Sequence, residues 1–247
     1  MRKNLLLLLI ILAVPFISHV AANEEYSTPR ERMIKEIETD MKSISGMLGK
    51  RTLDRQVIKV MSGVHRHEFV EPGLRSYAYL NRPLPIGYGQ TISQPFIVAL
   101  MTDLLKMDND DVVLEIGAGS GYQAAVLAGI ARKVYTIEII KELGEKAKKR
   151  LQRLGYKNIE VLIADGYYGW KEHAPFDSII VTAAAGHVPL PLLRQLKAGG
   201  RIVIPIGGVY DVQMLMVITK DLSGKMKTRQ IIPVRFVPMT GKARETE

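Results

Sequence analysis

Cysteine is absent from this chain of 247 residues. That excludes a disulfide framework, thiolate metal sites and a cysteine nucleophile together, while leaving the redox compartment open. Aromatic residues make up only 6%, with a single tryptophan, Trp170, and no arginine-aromatic interleaving. Long runs of like charge are missing too. The densest basic cluster, "EKAKKRLQR", has the pattern of a solvated helix face. A formal charge of +9 therefore argues for a basic soluble surface rather than a nucleic-acid partner. Internal repeats and low-complexity tracts are also absent. The "HRH" at His65 and His67 has no third ligand cluster beside it, so no metal is expected.

One segment is strongly apolar. "MRKNLLLLLIILAVPFISHVAANEE" has a basic start, an unbroken apolar run from Leu5 to Ile17, then Val20 and Ala22 placed as a cleavage signal. This is the plan of a secretory signal peptide over residues 1–22. The run is shorter than the roughly 20 residues of a membrane-spanning helix. The expected location is exported (periplasmic), with no stable membrane association after cleavage. The alternative is a cytoplasmic protein anchored by residues 5–17. Removing Arg2 and Lys3 leaves 32 basic against 25 acidic residues.

Residues 23–247 form one expected domain, with a helical and loop region at 23–105 and an α/β core at 106–247. Met33, Ile34, Ile37, Met41 and Ile44 recur at helix spacing, and "TLDRQVIKVMSGV" predicts a second short helix. The stretch up to Pro95 is rich in glycine and proline and predicts an ordered surface loop. From Asp111 onward, short apolar strands alternate with helices, the signature of a mostly parallel sheet covered on both faces. "PLPLLRQLKAGG" predicts a short helix closed by glycine. Only "GVYD" separates "RIVIPIG" from "VQMLMVITK", too little for a parallel crossover. A doubly wound α/β fold with seven strands follows, in the order 3-2-1-4-5-6-7, with the last two strands antiparallel.

The carboxyl ends of such strands hold the ligand. There lies "EIGAGSGY", with Gly117, Gly119 and Gly121 in the spacing G-x-G-x-G. A dinucleotide fingerprint places its third glycine one residue later, so a nucleoside without a pyrophosphate is favoured, and a nicotinamide oxidoreductase is not. Acidic residues stand at three successive strand ends. Glu138 is placed to accept from a ribose diol, Asp165 from an adenine amino group, and Glu115 stands two residues before the first glycine.

This constellation resembles the class I S-adenosylmethionine-dependent methyltransferases, and so implies a Rossmann-like methyltransferase fold and that cofactor. The chain has "VTAAAGHVP" where nucleobase N-methyltransferases carry D/N-P-P-Y/F. With "RHEFV", "RPLPIGYGQTISQP", "APFDSIIVTAAA" and "VRFVPMT", the resemblance narrows to the protein-L-isoaspartate O-methyltransferases, over roughly Met33 to Thr240. It implies methylation of the free alpha-carboxylate of L-isoaspartyl residues in damaged proteins, which starts their repair through a succinimide. It implies a cofactor site at Thr91, Glu115, Gly117, Gly119, Gly121, Glu138, Asp165, Gly166 and Thr240. Ser93 is implied as the catalytic contact to the carboxylate, with Gly87, Gly89, Ile92 and Val237 beside it on the substrate side. A methyltransferase for another carboxylate or small molecule is the alternative, as is an exported binding protein that has lost turnover.

The uncharged stretch "GYGQTISQP" suits that chemistry. An alpha-carboxylate with a pKa of about 3.5 is ionised at neutral pH and needs no general base. It needs orientation, which can supply roughly 7–11 kcal/mol of a barrier. A hydroxyl and backbone N–H groups hold it without the tight binding of a fixed cation.

Overall fold

The computed structural model describes residues 25–208 and 212–242. The expected signal peptide, and part of the "GVYD" turn, lie outside the described residues. The large sheet comprises β3 (Val112–Ile116), β4 (Lys133–Glu138), β5 (Ile159–Ile163), β6 (Phe176–Val181), β7 (Leu196–Ile206), β8 (Gln213–Lys220) and β9 (Met226–Val234). Its order is β5-β4-β3-β6-β7-β8-β9. Counted from β3, this is the expected 3-2-1-4-5-6-7. The first five strands pair in parallel. The short reversal after β7 forces β8 to run antiparallel to it, and β9 is antiparallel to β8.

Alternation along the strands divides the interior in two. Val113, Val134, Ile180 and Val203 face one layer, and Leu114, Ile137, Ile179 and Ile202 face the other. The first layer contains α1 (Ser27–Ser43), α3 (Arg55–Gly63), α4 (Pro95–Leu105), α5 (Tyr122–Ala128) and α6 (Lys141–Arg153). α1 buries Met33, Ile37 and Met41, four residues apart, the stripe expected of one helix face. A short helix α2 (Ser45–Leu48) follows it and packs on β9, where Arg229 Nη2 donates to the Leu48 carbonyl at 3.0 Å. α7 (Leu190–Gln195) lies on the other face.

Two local expectations are corrected. The glycine-rich stretch is not a plain loop but an antiparallel hairpin, β1 (Leu84–Gly87) and β2 (Gln90–Ile92). Its turn holds Gly87, Tyr88 and Gly89 at positive φ of 93°, 54° and 71°. The "LKAGG" segment does not close a helix but opens β7. A Cβ at Gly200 would stand 2.6 Å from the Asp177 carbonyl, so glycine there lets the strand pass close to β6.

Candidate active site

The chain reverses direction across the sheet between β3 and β6, and the carboxyl ends of those strands open into a cavity of about 70 Å³. Each strand end contributes to its wall: Gly117 and Gly119 after β3, Glu138 at the end of β4, Gly166 after β5, Thr182 and Ala183 after β6. Gln90 and Thr91 of the hairpin form one side, and the C-terminal segment Val237–Thr240 another. A wider groove of about 710 Å³ adjoins it, lined by Thr91, Ser93, Gln94, Thr182, Val237 and the end of β9. Thr91, Thr182 and Val237 border both spaces, so these residues stand where cavity and groove meet.

Backbone conformation makes the glycine loop possible. Gly117 has φ 98°, and a Cβ there would collide with the Thr182 hydroxyl. That hydroxyl donates to the Gly117 carbonyl at 2.7 Å and ties the β3 and β6 ends together. Gly119 has φ 52°, and a Cβ would come 3.3 Å from Ile86 Cδ1 of the hairpin. A Cβ on Gly166 would strike the Ile116 side chain. Glu138 accepts from Gly119 N at 2.7 Å through one oxygen and from Ile140 N at 2.9 Å through the other. Each oxygen keeps a second lone pair for a ligand.

Six expected residues do not border either space. Glu115 is wholly buried on the helix-layer face of β3, and no hydrogen bond of ordinary geometry reaches its oxygens. Burial pushes its carboxyl up to about 8; the neighbouring Thr136 hydroxyl opposes that rise and the Glu138 charge adds to it. Gly121, at φ 86°, caps α5 and faces Leu151 of α6. Asp165 accepts from Tyr167 N at 2.9 Å and from Lys242 N at 2.8 Å, and Gly241 lies directly against its carboxylate. Gly87 and Gly89 shape the hairpin turn, and Ile92 is buried in the core.

One residue of the quoted motifs has a larger part than its sequence suggests. Arg66 is fully buried; its Nε donates to the Ala78 carbonyl at 2.8 Å and its Nη2 to the Ser93 carbonyl at 2.7 Å. Its guanidinium stacks 4.8 Å from the Tyr122 ring centroid, and burial lowers its pKa to about 10, so it stays charged. The backbone at Ser93 is therefore held from behind, while its hydroxyl has no partner among the described residues. The histidines serve packing. His67 Nδ1 lies 2.8 Å from the Tyr79 hydroxyl, and its ring stacks on Tyr26 and His65. No group of three or more metal-ligating side chains occurs among the described residues.

A family model described as protein-L-isoaspartate(D-aspartate) O-methyltransferase matches residues 42–244. The chain is 60% identical over 221 residues to protein-L-isoaspartate O-methyltransferase 2 of Syntrophobacter fumaroxidans, with 90% of each chain covered. It is 55% identical over 233 residues to protein-L-isoaspartate O-methyltransferase 1 of Cupriavidus necator, covering 94% of this chain and 90% of the relative. A solved protein-L-isoaspartate O-methyltransferase is similar with a TM-score of 0.75 and 29% identity, over 87% of this chain and 67% of its own. Another, from Plasmodium falciparum and in complex with S-adenosyl-L-homocysteine, is similar with a TM-score of 0.68 and 25% identity, over 83% and 97%.

Proposed function

The chain belongs to the protein-L-isoaspartate(D-aspartate) O-methyltransferase family, and on that premise we propose a division of labour between its cavity and its groove. It is an S-adenosylmethionine-dependent enzyme that methylates the free alpha-carboxylate of L-isoaspartyl residues in proteins. The following backbone nitrogen then attacks the ester carbonyl and expels methanol, closing a succinimide whose hydrolysis returns part of the residue as normal aspartate.

The cavity fits this cofactor by its donor set. Glu138 presents spare lone pairs to a ribose diol, and uncharged side chains and glycine backbone make up the rest of the described lining. Gly117 and Gly119 admit close backbone approach, and Gly166 with Thr240 bounds the nucleoside side. When bound, S-adenosylmethionine supplies an electrophilic methyl group on a sulfonium. The protein's part is to orient the incoming carboxylate. Ser93 stands on the groove side next to Thr91, and its hydroxyl donates to one carboxylate oxygen, leaving the other to attack. Thr91, Thr182 and Val237 frame the opening between the two spaces and keep bulk water from the line of transfer.

That shared border is the observation carrying the proposal. It is tested with methyl-labelled cofactor and two peptides differing only in L-isoaspartate versus L-aspartate. Base-labile label on the isoaspartyl peptide alone is the expected result. Cofactor binding with no label on either peptide would favour an exported binding protein, and label independent of isoaspartate another carboxylate acceptor.

Residues 1–22 further support export to the periplasm, read out by cell fractionation and the N-terminal residue of the mature protein. No described helix is long and apolar enough to cross a membrane. The domain is expected to act without nucleic acid or metal.

A further inference from the structure

The groove beside Ser93 is walled mostly by apolar and uncharged side chains, among them Pro83, Gln94, Ile97, Pro233 and Phe236. Among the described residues that line it, Arg235 alone carries charge. It makes no ion pair and no side-chain hydrogen bond among the described residues. Its position is set by its neighbour: Phe236 N donates to Gln213 Oε1 at 2.6 Å, and Gln213 Nε2 donates back to the Phe236 carbonyl at 3.1 Å. Gln213 is buried at the start of β8, so the backbone carrying Arg235 is pinned to the sheet. A cation carried on pinned backbone, with no partner among the described residues, is a selector for charge on whatever chain lies in the groove.

We propose that Arg235 is a specificity determinant for the residues flanking the isoaspartyl group, favouring substrate segments with an acidic side chain and disfavouring basic ones. The proposal rests on the isoaspartyl reading of the groove. Arg235 takes no part in methyl transfer itself, so its effect falls on KM and not on kcat.

The test uses three isoaspartyl peptides with Glu, Gln or Lys on both sides of the damaged residue, assayed with the full chain and with Arg235→Glu and Arg235→Gln. The wild-type chain should show KM rising in the order Glu, Gln, Lys, by about twofold to fivefold per step for a solvent-exposed pair. Arg235→Glu should invert the order, Arg235→Gln should flatten it, and kcat should stay near the wild-type value in all three. Added salt should shrink the spread. An unchanged order in Arg235→Glu, with the Gln-flanked peptide still methylated, would overturn the proposal alone. Failure of the wild-type chain on every isoaspartyl peptide would overturn the reaction assignment and this proposal with it.

Discussion

Ser93 and Arg66 act on one short stretch of backbone from opposite sides. Replacing Ser93 with alanine removes the free hydroxyl but leaves the Arg66 anchor on the Ser93 carbonyl intact. Turnover should fall on the order of tenfold to a hundredfold, as for loss of a hydrogen bond to a charged group, with cofactor affinity nearly unchanged in a binding titration. Arg66→Lys should do something different. A lysine keeps the charge but cannot span the Ala78 and Ser93 carbonyls with a fork, so buried acceptors lose partners. Urea unfolding should show a loss of about 2–4 kcal/mol, and kcat should drop because the Ser93 segment is no longer fixed. His67 gives a pH signature. Burial pushes its imidazole down to about 4, so the unfolded chain binds a proton over the interval from about 6.5 to 4 where the folded chain does not. Its contribution is intact above the unfolded pKa and is lost as pH falls through that interval. His67 should add up to about 1.4 kcal/mol per pH unit to the stability slope there, against the opposite slope of the raised Glu115 carboxyl, and His67→Asn should remove that increment in denaturant titrations at stepped pH.

The β1–β2 hairpin roofs the glycine loop, with Ile86 against Gly119. A Gly119→Val chain faces both that contact and a φ of 52° that a β-branched residue rarely adopts. Its cofactor affinity should fall by roughly 3 kcal/mol or more, about a hundredfold in Kd, in a calorimetric titration of the folded variant. The hairpin was hidden in the sequence because its strands are only four and three residues long and include glycine and proline. Sheet order was legible because connection length alone decides parallel or antiparallel pairing after β7. The strand-end residues were legible in part. Glycines and Glu138 announce a nucleoside end, but position at a strand end does not say which face a side chain takes, and so Glu115 lies buried in the helix layer. Nor does local sequence say what covers Asp165, since Gly241 and Lys242 reach it from more than seventy residues away. Arginine in "RHEFV" reads as surface by residue type, and only the fold reveals its burial.

One apolar cluster runs from Met33 and Met61 in the helical layer through Val113 and Ile180 to Val203 and Leu215 in the sheet. The described residues of the helical and loop region and of the α/β region therefore share a core, and scanning calorimetry should give a single transition with matching calorimetric and van't Hoff enthalpies. Two separated transitions would mean that the helical layer melts on its own. The C-terminal segment closes the molecule over its cavity. Val237 and Met239 are tied to Ala184 by backbone bonds of 2.9 and 2.6 Å, Thr240 borders the cavity, and Lys242 is bonded to Asp165. Chain joined or cut immediately behind Lys242 thus pulls on a segment that walls the cavity, and cofactor constants measured on such a variant describe the alteration together with the protein.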